Sequence, residues 1–463
     1  MHMNPKVDAW LDAHQGAIVE AVQNIIAIPS VKGEPAPGAP FGTEVKAALD
    51  NALMLAEGMG FATKDLDGYA GYAEFGAGEE LVGVLCHLDV VPAGVGWTHP
   101  PFGGEIHDGR IYGRGTVDDK GPAIAALYAM AAVKECGLPM KRRVRLILGC
   151  DEESGMQCLD HYCKCEEIPA MSFSPDAEYP LVNSEKHGFG ANYQLPYASS
   201  ITVQAGERSN VVPGEATATV PLPLSRILPI MEAYMEKSEY GCSAEALDEA
   251  SAKIIMRGLS AHASLPDQGR NAFFALIDLL DKLPLPEADA KAVSDLVRAF
   301  NFECHGESFG LDKTDASGRL TLNVGVINWD ETGIRRLSID IRAPITMERG
   351  EIEAALDARL NPIGLTAART SFSKGYCVPP ESELVSKLLK VYSARTGEPA
   401  APLAIGGGTY ARHLPNAVAF GCEIPGHEAS IHMPNEYITI EDLMFNVHVL
   451  ADAIIALGCE CSD

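Results

Sequence analysis

Two apolar runs that end abruptly in acidic residues constrain this chain more than any other feature. Residues 81–85 lead into Cys86-His87-Leu88-Asp89, and residues 143–150 lead into Asp151-Glu152-Glu153. Short runs of this kind read as buried strands, and the Ala-rich stretch 122–136 between them reads as a helix. Strand, helix and strand in that order predict a parallel sheet, with ligand groups just beyond the strand C-termini. The expected class is therefore α/β.

The rest of the chain divides around that core. Apolar spacing predicts helices over 7–26 and 44–58. After Lys186 the texture changes to short strands, at 216–220, 252–256, 320–326 and 336–341, with helices at 227–238, 271–282 and 291–300. This alternation reads as an α+β domain. Long helical patterns return at 382–396 and 440–457. A chain of 463 residues exceeds one ordinary core. We therefore expect a catalytic domain from 1–186 and 377–463, with 187–376 inserted.

Charge narrows the partners. A net charge of −27 repels phosphate backbones and anionic lipid, so neither nucleic acid nor a membrane surface is expected. There is no apolar run long enough for a membrane span. Residues 1–23 carry Asp8, Asp12 and Glu20, unlike a secretory signal, so a cytoplasmic location is expected. The twelve cysteines, spread from Cys86 to Cys461, read as reduced thiols. Cys163-x-Cys165 and Cys459-x-Cys461 lack zinc-ribbon spacing.

Chemistry concentrates in four groups: His87-Leu88-Asp89, Gly113-Arg114-Gly115-Thr116-Val117-Asp118-Asp119-Lys120-Gly121, Asp151-Glu152-Glu153-Ser154-Gly155 and Ser174-Pro175-Asp176-Ala177-Glu178. Carboxylates gathered at neighbouring strand ends repel one another, and divalent cations neutralise that repulsion most directly. The order of these motifs, with a late His432, resembles the aminoacylase, carboxypeptidase G and dipeptidase V family of di-zinc peptidases over almost the whole chain. That resemblance implies a catalytic α/β domain with a mainly parallel sheet and an inserted α+β lid domain. It also implies that Asp118 bridges two cations, zinc with manganese as the alternative. His87 and Asp176 complete one site, Glu153 and His432 the other. Counting from the Gly-Arg-Gly motif favours Asp118 over Asp119 as the bridge. Asp89 is expected to orient the His87 ring through its other nitrogen. Glu152 is expected to be the general base, acting on a water that bridges the metals.

The same resemblance assigns His262, in Ser260-Ala261-His262-Ala263-Ser264, to the lid face of the site, and Asn210 and Arg342 to the substrate. Gly406-Gly407-Gly408-Thr409-Tyr410-Ala411-Arg412 is similar to the dipeptidase V branch, so Gly407, Gly408 and Thr409 are also assigned to substrate binding. His99, His107, His161 and His187 stand in no comparable motif and are expected to be ordinary. The expected activity is hydrolysis of small peptides, dipeptides first, by a monomer. The same metal cage also serves N-acyl amino acid deacylases and tripeptidases. A metal-dependent binding protein without catalysis is a competitor of another class, disfavoured by the intact Glu152.

Overall fold

The computed structural model describes residues 3–428 and 430–460. The chain forms two compact units. The first runs through Asn183, takes in Val378–Leu403 and resumes at Gly408; the second comprises Ser184–Cys377 and Ala404–Gly407.

In the first unit, strands Arg143–Gly149, Leu81–His87, Met171–Ser174 and Ala417–Ala419 lie side by side and parallel. Ala70–Gly76 and Ala62–Leu66 extend the sheet antiparallel beyond Arg143–Gly149. Every residue of Leu81–His87 is buried, which explains its unbroken apolar character. Helix Lys120–Glu135 is buried from Lys120 through Val133 and packs on Ile440–Gly458, Gln15–Ile26 and Pro5–Ala13. Its many alanines permit such close neighbours.

The single helix expected over 7–26 is two helices, Pro5–Ala13 and Gln15–Ile26. At His14 the main-chain N–H bonds to Leu11 O at 3.0 Å, a three-residue step. The ring meanwhile donates from Nδ1 to the Trp10 carbonyl at 2.7 Å and stacks on the Trp10 indole. A side chain thus takes the carbonyl that a continuing helix would use.

The second unit is built on an eight-stranded antiparallel sheet in the order Gly241–Ala246, Ala252–Arg257, Glu215–Val220, Thr202–Ala205, Thr321–Asp330, Gly333–Ala343, His187–Pro196 and Thr366–Ser373. Burial alternates along Glu215–Val220 and Ala252–Arg257, as a sheet with one covered face requires. Helices Leu224–Met235, Ala272–Leu280, Glu287–Phe300 and Arg349–Leu360 contribute to one shared core, centred on Phe273, Leu296, Trp329 and Ile339. None of the cysteines among the described residues forms a disulfide. Cys461 lies outside them, so the Cys459-x-Cys461 pair does too. Among the described residues no helix is long and apolar enough to cross a membrane.

Candidate metal centre

Parallel strands deliver most of the site. His87 is the last residue of Leu81–His87 and pairs in register with Gly149, so the Asp151-Glu152-Glu153 turn emerges at the same sheet edge. Met171–Ser174, on the other side of Leu81–His87, runs directly towards Asp176. Asp118 stands two residues before helix Lys120–Glu135. His432 lies in the loop before strand Tyr437–Thr439, with φ of 61°. A left-handed backbone at a non-glycine residue is sparsely populated and marks a position held by its surroundings.

These side chains converge. Asp118 presents Oδ1 to His87 Nε2 at 2.8 Å and Oδ2 to His432 Nε2 at 3.0 Å. Glu153 Oε1 is 3.1 Å from His432 Nε2, and Asp176 Oδ2 is 4.0 Å from His87 Nε2. His87, Asp118 and Asp176 form one group of donor atoms within 4.8 Å of one another, and Asp118, Glu153 and His432 form a second. Asp118 belongs to both. Asp119 instead turns away, its Oδ2 accepting the main-chain N–H of His87 at 3.0 Å. The Asp118–Asp119 peptide is cis.

Asp89 reaches the other nitrogen of the His87 ring chiefly through its main chain. His87 Nδ1 donates to the main-chain carbonyl of Asp89 at 2.8 Å, while the nearest carboxylate oxygen of Asp89 is 3.6 Å away. That carboxylate accepts the main-chain N–H groups of Glu152 at 3.1 Å and Glu153 at 3.2 Å. Two turns compete for one short side chain, and the two unpartnered amides of the acidic turn take it. With Nδ1 anchored there, the His87 ring turns Nε2 to the interior of the cage, where a bound cation would replace its proton.

Electrostatics favour cations here. Burial works to raise the carboxyl of Asp118, but the His432 and His87 rings hold it well below the usual range. Burial, then the charge of Asp118, pushes Asp176 well above its ordinary value. Burial also lifts Glu152 to about 8, with Asp118 and Glu153 adding to the shift. Hydrogen bonds to Asp118 and Glu153 raise His432 to about 10. Protons on rings and carboxyls thus supply the positive charge that this crowd of acids demands. Imidazole nitrogens with carboxylate oxygens are the donor set of zinc and, with more oxygen, of manganese, so the residues fit such ions.

Arg114 and Glu436, which the sequence does not distinguish from their motifs, brace the cage. Glu436 is fully buried. Its Oε2 accepts from Arg114 Nη1 at 2.6 Å, and its Oε1 accepts the main-chain N–H groups of Gly115 at 3.0 Å and Val117 at 3.1 Å. Their signal was position, four residues after His432 and four before Asp118. Tyr410 is a further neighbour: its ring stands edge-on to His87 with centroids 6.0 Å apart, and its hydroxyl meets Cys158 Sγ at 3.0 Å.

The remaining residues singled out from sequence divide between the units. In the second, Val211 pairs with His262 in an antiparallel bridge and Ala263 N–H donates to Asn210 O at 2.9 Å, so the Asn210 and His262 segments lie together. Ser264 meets His262 Nδ1 with its hydroxyl at 2.6 Å and its main-chain N–H at 3.3 Å, which fixes the ring's orientation. Arg342 donates from Nε and Nη2 to the Asp340 carboxylate, at 2.9 and 3.2 Å, and from Nη1 to Gly406 O at 2.8 Å. Gly407 belongs to the second unit, Gly408 and Thr409 to the first. A Cβ on Gly408 would stand 2.6 Å from the Arg412 guanidinium carbon, so a side chain there would require that arginine to shift. Thr409 caps the Tyr410–His413 turn by accepting Ala411 N–H. Of the histidines expected to be ordinary, His99 and His107 share Glu105 as a neighbour.

A parallel sheet carrying a cage of this composition suits a metal-dependent hydrolase. Residues 83–456 match Peptidase family M20/M25/M40, and the chain belongs to that family. It is 40% identical to "Putative dipeptidase YtjP" of Bacillus subtilis over 95% of this chain and 97% of that protein. It is 33% identical to "Putative dipeptidase SH1171" of Staphylococcus haemolyticus over 96% of this chain and 98% of that protein. Human carnosine dipeptidase 1 shares the fold, with a TM-score of 0.57 at 16% identity over 97% of this chain and 98% of that one. So does the dipeptidase Dug1p of Saccharomyces cerevisiae, with a TM-score of 0.58 at 15% identity over 97% and 98%.

Proposed function

We propose that this metallopeptidase hydrolyses dipeptides with two divalent cations, zinc or manganese, held by His87, Asp118 and Asp176 and by Asp118, Glu153 and His432. The observation that carries this reading is Asp118, whose two carboxylate oxygens address the two histidines separately. When bound, the cations supply Lewis-acid polarisation of the scissile carbonyl and of water. Glu152 takes the proton of the attacking water on its carboxylate and delivers it to the leaving amine. Asp89 fixes the backbone from which Glu152 and Glu153 project. The His262 ring stabilises the developing oxyanion by a hydrogen bond. Arg342 and Asn210 are assigned to the substrate's C-terminal end, and the main-chain amides of Gly407, Gly408 and Thr409 to substrate binding. The relatives named as dipeptidases support the choice of substrate length.

The protein acts as a monomer on substrates charged at both ends. A free α-amino group and a free carboxylate each require a partner, so a longer or N-blocked peptide leaves one charged group badly matched. The test is a panel of dipeptides, tripeptides and N-acetyl amino acids assayed with defined metal. Dipeptides are expected to lead in kcat/KM by at least about tenfold, roughly the discrimination of one or two unmatched contacts. Equal turnover of N-acetyl amino acids would move the chain to the deacylases, and a tripeptide preference to the tripeptidases.

A further inference from the structure

The second unit gathers a thiol, an imidazole and a carboxylate that the peptidase chemistry does not use. Asp267 lies in the short turn Pro266–Gln268, while Cys304 and His305 precede strand Thr321–Asp330. One donor atom from each lies within 4.8 Å of the others. Cys304 Sγ is 3.0 Å from Asp267 Oδ1, and His305 Nε2 is 3.1 Å from Asp267 Oδ2. Tetrahedral zinc, with bonds of 2.0–2.3 Å, separates its ligand atoms by roughly 3.3–3.7 Å, so a small outward shift accommodates it.

The hydrogen bonding of His305 supports a cation at this point. Its Nδ1 lies 2.7 Å from the carbonyl oxygen of Leu320. A carbonyl and a carboxylate both accept only, whereas a neutral imidazole has a single N–H. With Nδ1 anchored on Leu320, Nε2 is turned to the Asp267 carboxylate. That is the anchoring of a metal-ligating histidine, whose other nitrogen is held by a backbone carbonyl. The thiol adds a soft donor that the five-residue cage lacks. His305 is buried, yet the Asp267 side chain is 65% exposed, which opens a route from water. A cavity of about 230 Å³, lined by Asp267, Cys304, Phe274 and Leu322, adjoins the group.

We propose that Asp267, Cys304 and His305 bind a thiophilic divalent cation, zinc foremost, with water as the fourth ligand. Binding sends the Cys304 thiol proton to solvent, and Sγ, Nε2 and a carboxylate oxygen each donate a lone pair, with no change of oxidation state. The cation ties the turn at Asp267 to the turn at Cys304. Asp267 closely follows His262, whose carbonyl accepts Leu265 N–H at 2.9 Å, so the clip steadies that segment. The site stands independently of the dipeptidase assignment.

Cobalt substitution of the full chain tests it, because thiolate ligation gives a charge-transfer absorption in the near ultraviolet that histidine and carboxylate ligands do not. The intact chain is expected to show this band and to hold one more cobalt than Cys304→Ser, which loses the band. Asp267→Asn, on an exposed side chain, is expected to weaken cobalt binding read at the band by about tenfold or more while the circular dichroism stays unchanged. Absence of the band, its persistence in Cys304→Ser, or an unaltered titration in Asp267→Asn would each overturn the site, whatever the peptidase assays show.

Discussion

Glu436 accepts a hydrogen bond from Arg114 at 2.6 Å in a place where neither side chain reaches solvent, joining the loop of Asp118 to the loop of His432. Removing one partner leaves the other charged and buried, which typically costs about 3–5 kcal/mol. Glu436→Gln keeps the shape but removes the charge. We expect it to lower metal affinity by about 10–100-fold, the usual range for groups that orient ligands. Metal content after dialysis against a graded chelator series measures this, and retention equal to wild type would reject the bracing role.

Glu152 and Glu153 are adjacent, yet they should fail differently. Chelation should abolish activity, and zinc, manganese or cobalt should restore it. Glu152→Ala is expected to keep its metal and lose about 10²–10⁴ in kcat, the range of a general base. Glu153→Ala is expected to lose metal as well. Similar metal content and similar rates in the two variants would refute the division of roles.

The His262 ring is held at Nδ1 by Ser264, which leaves its Nε2 edge for the substrate. Removing one oxyanion donor typically costs about 10²–10³ in kcat. His262→Ala should show that loss with little change in metal content, and an unchanged kcat ends the proposal.

Gly149 gives way to Tyr410. A Cβ there would collide with the Tyr410 hydroxyl and ring. Overpacking of this kind costs about 1–3 kcal/mol, so Gly149→Ala should unfold at lower temperature. Tyr410→Phe in the same chain should recover part of the loss. Full wild-type stability in Gly149→Ala would contradict the packing described.

Glu383 links acid stability to a surface network. Hydrogen bonds from Arg142 and Lys387 hold its carboxyl down to about 2. A carboxyl depressed in the folded state contributes stability above its unfolded pKa, and that contribution fades as pH falls towards the folded value. From about pH 4.5 downward, wild type should therefore lose stability faster than Glu383→Gln. Denaturant titrations at pH 6, 4.5 and 3.5 compare the slopes, and parallel curves would exclude the linkage.

Legibility in the sequence followed physical rules. Strands that end in ligands were visible because a fully buried strand such as Leu81–His87 has no polar face to interrupt its apolar run. The convergence of His87, Asp118, Glu153, Asp176 and His432 was implied by the family resemblance that motif order carries; parallel strand ends account for His87, Glu153 and Asp176, whereas Asp118 and His432 sit in loops. Spacing could not say which atoms of Asp89 face which neighbour, because one residue offers both a carbonyl and a carboxylate. The break at His14 is marked only by Gly16, two residues on, which falls inside the second helix and so does not read as a stop. Glu436 was hidden for a similar reason: a glutamate in a polar run looks exposed, and only the fold supplies its buried arginine.

Strand Ala417–Ala419, parallel to Met171–Ser174, is drawn from far along the chain into the middle of a sheet begun by residues hundreds of positions earlier. During translation, a nascent chain that has not yet emitted this strand lacks both a wall of the sheet and, a few residues later, His432. The sheet and the cage are completed in the same stretch of synthesis. A chain cut short before Ala417 is therefore expected to bind metal less tightly than the full chain.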